Sequence, residues 1–432
     1  MILDQLKFTE SVTRGLELSD DKAVAYAAKI EEFLGLLEGR IDTAQAYEVL
    51  EILSCLVSFK AYFESVERWE GLVFRALEMI RQNIYNSAYH PLYGFFGIAH
   101  VAMVLKELCK EQPNLARFLQ SVDKVLATNV QDYLKSSEEE LMTSGNFECI
   151  TGLSGVLRHA LDSYEETLEE ATIDIVKLFS RRAHDKAILG HTIPGWQYYP
   201  SATEKHYMTE SAENGCINYG LSHGMAGALV MLARAYKEGI DLIGQETAID
   251  GLFDEYMTSY YIADNVAQWP GRITVEDYLA MKSRGLPHKV PRQMSWCYGS
   301  IGILRAMYLA ANYMNKADIK AFALDELVKI AQMDTERYLF KFANVCHGNA
   351  SIVSIMDEMF RETGNVVFRN KTLEQSHILV DFIINANYSH VGETREDTVH
   401  LFSYLEGYSG ILQTLQAVVD GGNGHKKQIL VV

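Results

Sequence analysis

A turn of the form Gly-x-x-Gly, or a near relative of it, recurs six times in this chain, each time ahead of an apolar run. The copies are Gly94-Phe-Phe-Gly97, Gly152-Leu-Ser-Gly155, Gly224-Met-Ala-Gly227, Gly299-Ser-Ile-Gly302, Gly348-Asn-Ala-Ser351 and Gly407-Tyr-Ser-Gly410. They stand about 50 to 75 residues apart, which is room for two helices and their loops. Glycine at a helix start lets one backbone approach another closely. The repeat predicts helical hairpins that each open their second helix with the same turn. Hairpins of this kind close into a ring or stack into an open solenoid, and the periodicity fits both. A ring explains six like turns best, because it crowds them at one mouth.

Periodicity agrees with an all-α scaffold. Ile98, Val101, Ala102, Leu105, Leu108 and Cys109 follow the spacing of one helix face. Similar patterns cover much of residues 20–180 and 300–420. The run Ala228-Leu229-Val230-Met231-Leu232-Ala233 is apolar all round, so its helix must be enclosed by others. Five of the seven prolines fall between residues 190 and 295. Proline is poorly tolerated inside helices. Residues of about 190–222 and 262–295 are therefore expected to be two excursions from one scaffold spanning 1–432, packed together as a small irregular or α+β subdomain. Long excursions of this type usually carry binding or lid functions.

The net charge of −18, with no basic stripe, argues against a nucleic-acid partner. No apolar run approaches the roughly 20 residues that span a bilayer, so no transmembrane segment is expected. The N-terminus lacks the basic-then-apolar pattern of a secretion signal. Six cysteines without that signal read as reduced thiols. Together these features predict a cytoplasmic protein, with peripheral placement at the membrane within a larger complex as the variant of that expectation.

Three of the turns carry reactive residues. Trp296-Cys297-Tyr298-Gly299 and Cys346-His347-Gly348 offer two thiols and an imidazole, a donor set that suits Zn²⁺ and leaves one position open for chemistry. Leu221-Ser222-His223-Gly224 adds a histidine able to handle a proton near neutrality. If the turns converge, these residues meet although up to 124 positions separate them. Convergence also brings Glu148, Cys149 and Glu406 to the same face. Each has a plainer reading. Glu148 and Glu406 can cap the helices that follow them, and Tyr298 can be packing. Cys149 and Cys216 read as small buried residues. His191, His206 and His288 lie in the excursions and read as surface residues.

In this order, Gly-Leu-x-His-Gly-x-x-Gly, Trp-Cys-Tyr-Gly-x-x-Gly, Cys-His-Gly and Leu-Glu-Gly-x-x-Gly resemble the motifs of the lanthionine synthetase C family, the lantibiotic cyclases. The turns run from about residue 94 to 410. The resemblance implies an α/α toroid of about seven inner and seven outer helices with an added small subdomain. It also implies one zinc ion held by Cys297, Cys346 and His347. Two positions depart from the family pattern. Glu148 stands where an Asp is common, and Gln293, with Arg292 as its neighbour, stands where an Arg is common. Arg292 and Glu406 are the candidates for substrate contact.

The implied reaction adds a peptide cysteine thiol to a dehydroalanine or dehydrobutyrine of the same peptide, giving a lanthionine or methyllanthionine ring. It needs a thiolate, since a free cysteine of pKa near 8.5 is only slightly ionised at neutral pH. It also needs an acid for the enolate left at the α-carbon. His223 is the expected donor, with Glu148 orienting its ring or helping deliver the proton, and Tyr298 within reach of the enolate. The expected partners are a dehydrated precursor peptide, a separate dehydratase and an export transporter. The competing reading keeps the fold and makes the chain a non-catalytic member of the wider family that binds thiols, glutathione or a partner protein. A third reading, an unrelated zinc thiol alkyltransferase, does not account for the order of the turns.

Overall fold

A computed structural model of the chain describes residues 1–137, 143, 146–201, 205, 212–284, 294–388 and 401–421. The fold divides into two compact units, one built from Met1–His90, Met103–Ala116 and Ala331–Leu430, the other from Pro91–Ala102 and Arg117–Ile330.

In the first unit, helices Ala46–Phe59, Asn349–Thr363 and Tyr408–Val419 are buried on nearly every side. The last of them packs on the other two and on Gln5–Leu16. Amphipathic helices cover them. Val66–Tyr85 buries Trp69, Leu72, Val73, Ala76 and Ile80, the spacing of a single face, and leaves most of its remaining surface to solvent. Its Trp69 indole donates to the Leu56 carbonyl at 2.8 Å. Some of the buried polar groups form chains of hydrogen bonds. Ser54 and Ser58 donate to Gln413 Oε1 at 3.1 and 3.0 Å, and Gln413 in turn donates to Ser409.

The second unit follows the same logic. Helices Leu153–Ala160, Met225–Lys237 and Ser300–Tyr313 are buried, and Met225–Lys237 packs on Ser300–Tyr313. Glu166–Arg182 and Gln245–Ser259 lie against them with one apolar face each. The two proline-rich excursions meet here. Strand Cys216–Asn218 pairs antiparallel with Arg272–Thr274, with Asn218 opposite Arg272. Two short hairpins, Lys186–Ile188 with His191–Ile193 and Tyr261–Ala263 with Val266–Gln268, complete the described strands. In the second hairpin Asp264 and Asn265 take positive φ, as a two-residue hairpin turn demands. The second excursion also holds a helix, Val275–Arg284, which ends before the prolines at 287 and 291.

The recurrent turns are tied to one another by backbone hydrogen bonds. In the second unit Phe95 N–H donates to Ile150, Cys149 N–H to Ser222, and Leu221 and Ser222 N–H to Cys297. In the first, Cys346 N–H donates to Leu405 at 2.9 Å. The glycines are needed for close approach, not for unusual dihedrals, since those that open the helices have extended backbone. A Cβ at Gly227 would run into Cys149 Sγ, and one at Gly410 into the Tyr404 carbonyl.

Candidate metal and proton-transfer site

Each reactive side chain is held by its turn. The Cys297 carbonyl accepts from Leu221 N–H at 2.9 Å, from Ser222 N–H at 3.2 Å and from the Ser222 hydroxyl at 3.3 Å. That fixes the residue before His223 against the residue before Tyr298. The Ser295 hydroxyl lies 3.4 Å from Cys297 Sγ. Asn344 shapes the other turn. Its side-chain oxygen accepts from His347 N–H, three residues on, at 3.0 Å, and so holds the Cys346-His347 backbone. The His347 ring stands edge-on to Phe342, 5.0 Å between centroids.

The donor atoms of Cys297, Cys346 and His347 all lie within 4.8 Å of one another. Cys297 is buried, and Cys346 and His347 are half-buried. Two thiols and one imidazole at this separation fit a zinc ion bound at roughly 2.0–2.3 Å per ligand. The set is soft and offers three ligands, so it suits zinc better than magnesium or calcium.

Glu148 is fully buried and His223 is 38% exposed, with Glu148 Oε2 at 2.5 Å from His223 Nδ1. The other oxygen of Glu148 accepts from Thr151 N–H. Glu148 therefore contacts both the backbone ahead of helix Leu153–Ala160 and the His223 ring. The Tyr298 ring is 5.8 Å from the His223 ring. Burial pushes the Tyr298 hydroxyl well above its ordinary range, and the nearby Cys297 adds to this. Arg272 and a hydrogen bond to Asn218 pull the other way.

The remaining expectations divide. Glu406 is exposed within its turn. Arg292, Gln293, His206 and His288 lie outside the described residues. His191 is exposed on a hairpin strand. Cys149 and Cys216 are buried, and burial raises the Cys149 thiol far above its usual value, so it serves packing. Asn344, Asn218 and Arg272 were not picked out from the sequence. Only Asn344 carried a signal, a turn-forming residue three positions before a histidine.

Known proteins match over most of the chain. The nisin biosynthesis protein NisC of Lactococcus lactis subsp. lactis is 23% identical over 337 residues, covering 76% of this chain and 75% of that protein. A solved structure of nisin cyclase superposes with a TM-score of 0.77 at 19% identity, over 93% of this chain and 96% of that one. That likeness shows the fold, an α/α toroid, and decides for the ring over the open solenoid. No helix among the described residues is long and apolar enough to cross a membrane. The model of the lanthionine synthetase C-like proteins matches residues 52–431, and the chain belongs to that family.

Proposed function

We propose that this protein is a zinc-dependent cyclase that forms lanthionine or methyllanthionine rings in a dehydrated precursor peptide. The observation that carries the reading is the cluster of two thiols and one imidazole within 4.8 Å, with Cys297 bonded through its carbonyl to the turn that bears His223. Cys297, Cys346 and His347 would hold the zinc. Zinc in that set would lower the pKa of a substrate thiol and keep it ionised at neutral pH.

The chain's own residues manage the rest. Sulfur adds to the β-carbon of the dehydro residue, and the double-bond electrons move toward the carbonyl as an enolate. The thiol proton is lost to solvent, and one proton is gained at the α-carbon, so the addition is balanced with no leaving group. His223 donates that proton. Its Nδ1 is engaged by Glu148, which orients the ring and stabilises the imidazolium before transfer. The Tyr298 hydroxyl remains protonated in its buried setting and is available to hydrogen-bond the enolate oxygen.

Residues 1–432 would then be one toroidal domain, with about 190–222 and 262–295 as an inserted subdomain that engages the peptide. The protein would sit in the cytoplasm with a dehydratase and an exporter as partners. The pairing of Cys216–Asn218 with Arg272–Thr274 supports a joint role for the two excursions. The test is incubation of the zinc-loaded protein with a synthetic peptide containing dehydroalanine and cysteine. Loss of free thiol at unchanged mass is the expected result. A protein that holds zinc and leaves the thiol free would overturn the cyclase reading in favour of thiol binding.

A further inference from the structure

Beside the Cys346-His347 turn lies a cavity of about 300 Å³ that the reaction above does not use. Phe340, Phe342, Ile378, Phe382 and Ile411 line it, and Glu406 stands at its edge. Phe342 links it to the site, because the same ring sits edge-on to His347. The cavity thus begins one aromatic ring away from a proposed zinc ligand. Phe342, Ile378 and Phe382 are 50%, 38% and 39% exposed. Scattered exposed apolar residues mean little, but three around one cavity mark a contact site. Phe382 is stacked on Tyr408 at 5.6 Å, so this wall is already formed.

Size and charge narrow the occupant. Small-molecule sites run from roughly 300 to 1,000 Å³, so this cavity takes one large side chain and not a macrocycle. Lys341 also lines it, yet the chain as a whole carries −18 and Glu406 is exposed. A cationic neighbour on the peptide is therefore the complementary one. Adjacent residues of a peptide stand about 3.8 Å apart at Cα. Because Phe342 touches both the cavity and the His347 ring, a side chain next to a cysteine held beside His347 is the nearest candidate to enter the cavity.

We infer that this pocket receives an aromatic or branched apolar side chain from the residue next to the reacting cysteine, while Glu406 meets a cationic residue beyond it. The inference rests on the cyclase reading and adds a rule for which cysteines are chosen. The probe is a fluorescein-labelled peptide Ser-Lys-X-Cys-X-Lys-Ser with X as Phe, Leu or Ala, titrated into the zinc-loaded protein by anisotropy. The Phe peptide binds about tenfold more tightly than the Ala peptide, in line with partial burial of one large apolar side chain. Ile378→Asp and the cavity-filling Ile378→Trp each reduce that ratio to about twofold or less, with zinc content and the Ala affinity retained. Glu406→Lys weakens all three peptides. A ratio near one in the wild type, or one that survives both Ile378 variants, overturns the pocket. With a dehydroalanine version, cyclisation blind to X removes the pocket and keeps the cyclase. Selective binding without cyclisation keeps the pocket and removes the cyclase.

Discussion

Glu148 and His223 stand 75 positions apart in the chain, yet the Glu148 carboxylate lies 2.5 Å from His223 Nδ1. The carboxylate is fully buried and the ring is partly open to solvent. The pair therefore runs from the interior outward. Glu148 fixes the orientation of the ring and supports a proton on its inner nitrogen.

That relationship predicts the behaviour of Glu148→Gln. The amide keeps the size of the side chain and removes the charge that supports the imidazolium. Zinc content and helix content remain, while ring formation slows by about 10²-fold, at the low end of what acid–base catalysis supplies. The loss falls on kcat and leaves KM nearly unchanged. Glu148→Asp retracts the carboxylate by one methylene and gives an intermediate rate. Wild-type turnover by Glu148→Gln would reduce the residue to a helix cap.

His223→Asn separates the proton donor from a structural histidine. Asparagine keeps some hydrogen bonding and cannot titrate. The variant is expected to hold zinc and bind the dehydrated peptide, and to cyclise it at least about 10²-fold more slowly. Free-thiol loss followed over time reads the rate directly. Near-normal ring formation would mean that water or Glu148 delivers the proton.

Cys297→Ala and His347→Ala each remove one ligand from a three-ligand set, which two remaining donors do not hold tightly. Metal analysis of the purified variants is expected to show zinc lost. Far-UV circular dichroism is expected to show helix content kept, because the buried helices rest on apolar packing. Stoichiometric zinc in both variants would dismiss the site as drawn.

The chemistry of this protein was easier to read from sequence than its contacts. The Gly turns stood out because backbone approach at Gly227 and Gly410 leaves no room for a Cβ, so the constraint is written in residue identity. The same holds for Cys297, Cys346 and His347, whose donor types carry their own meaning. The role of Glu148 beside His223 follows from convergence of the turns, whereas the bond from Cys149 N–H to Ser222 that joins their two turns is a backbone feature with no side-chain mark. The described strands have three residues each, too short for a period of two to register. Ile378 and Phe382 sit one turn apart on helix Val366–Ile384 and face a cavity, which apolar residue type alone does not separate from core. Glu51 is only 1% exposed, a burial that its residue type does not announce.

Glu51 gives the clearest pH prediction. It lies in a buried helix, and burial raises its carboxyl from the ordinary 4.5 to about 8, with only the Tyr404 backbone N–H pulling downward. Cys55 on the same helix is pushed up to about 12, by burial first, and Tyr404 is raised too, and among the described residues no cation offsets the charge on Glu51. The folded value lies above the unfolded one. The stabilising contribution is therefore complete below about pH 4.5 and is lost as pH rises toward 8. The slope is about 1.4 kcal/mol per pH unit, on the order of 5 kcal/mol across the window. Glu51→Gln keeps the shape without the ionisation. Urea melts of both proteins at pH 6, 7 and 8 are expected to show the variant gaining on the wild type by about that slope. A stability difference that stays flat across those three pH values would show that Glu51 does not carry its proton into the neutral range.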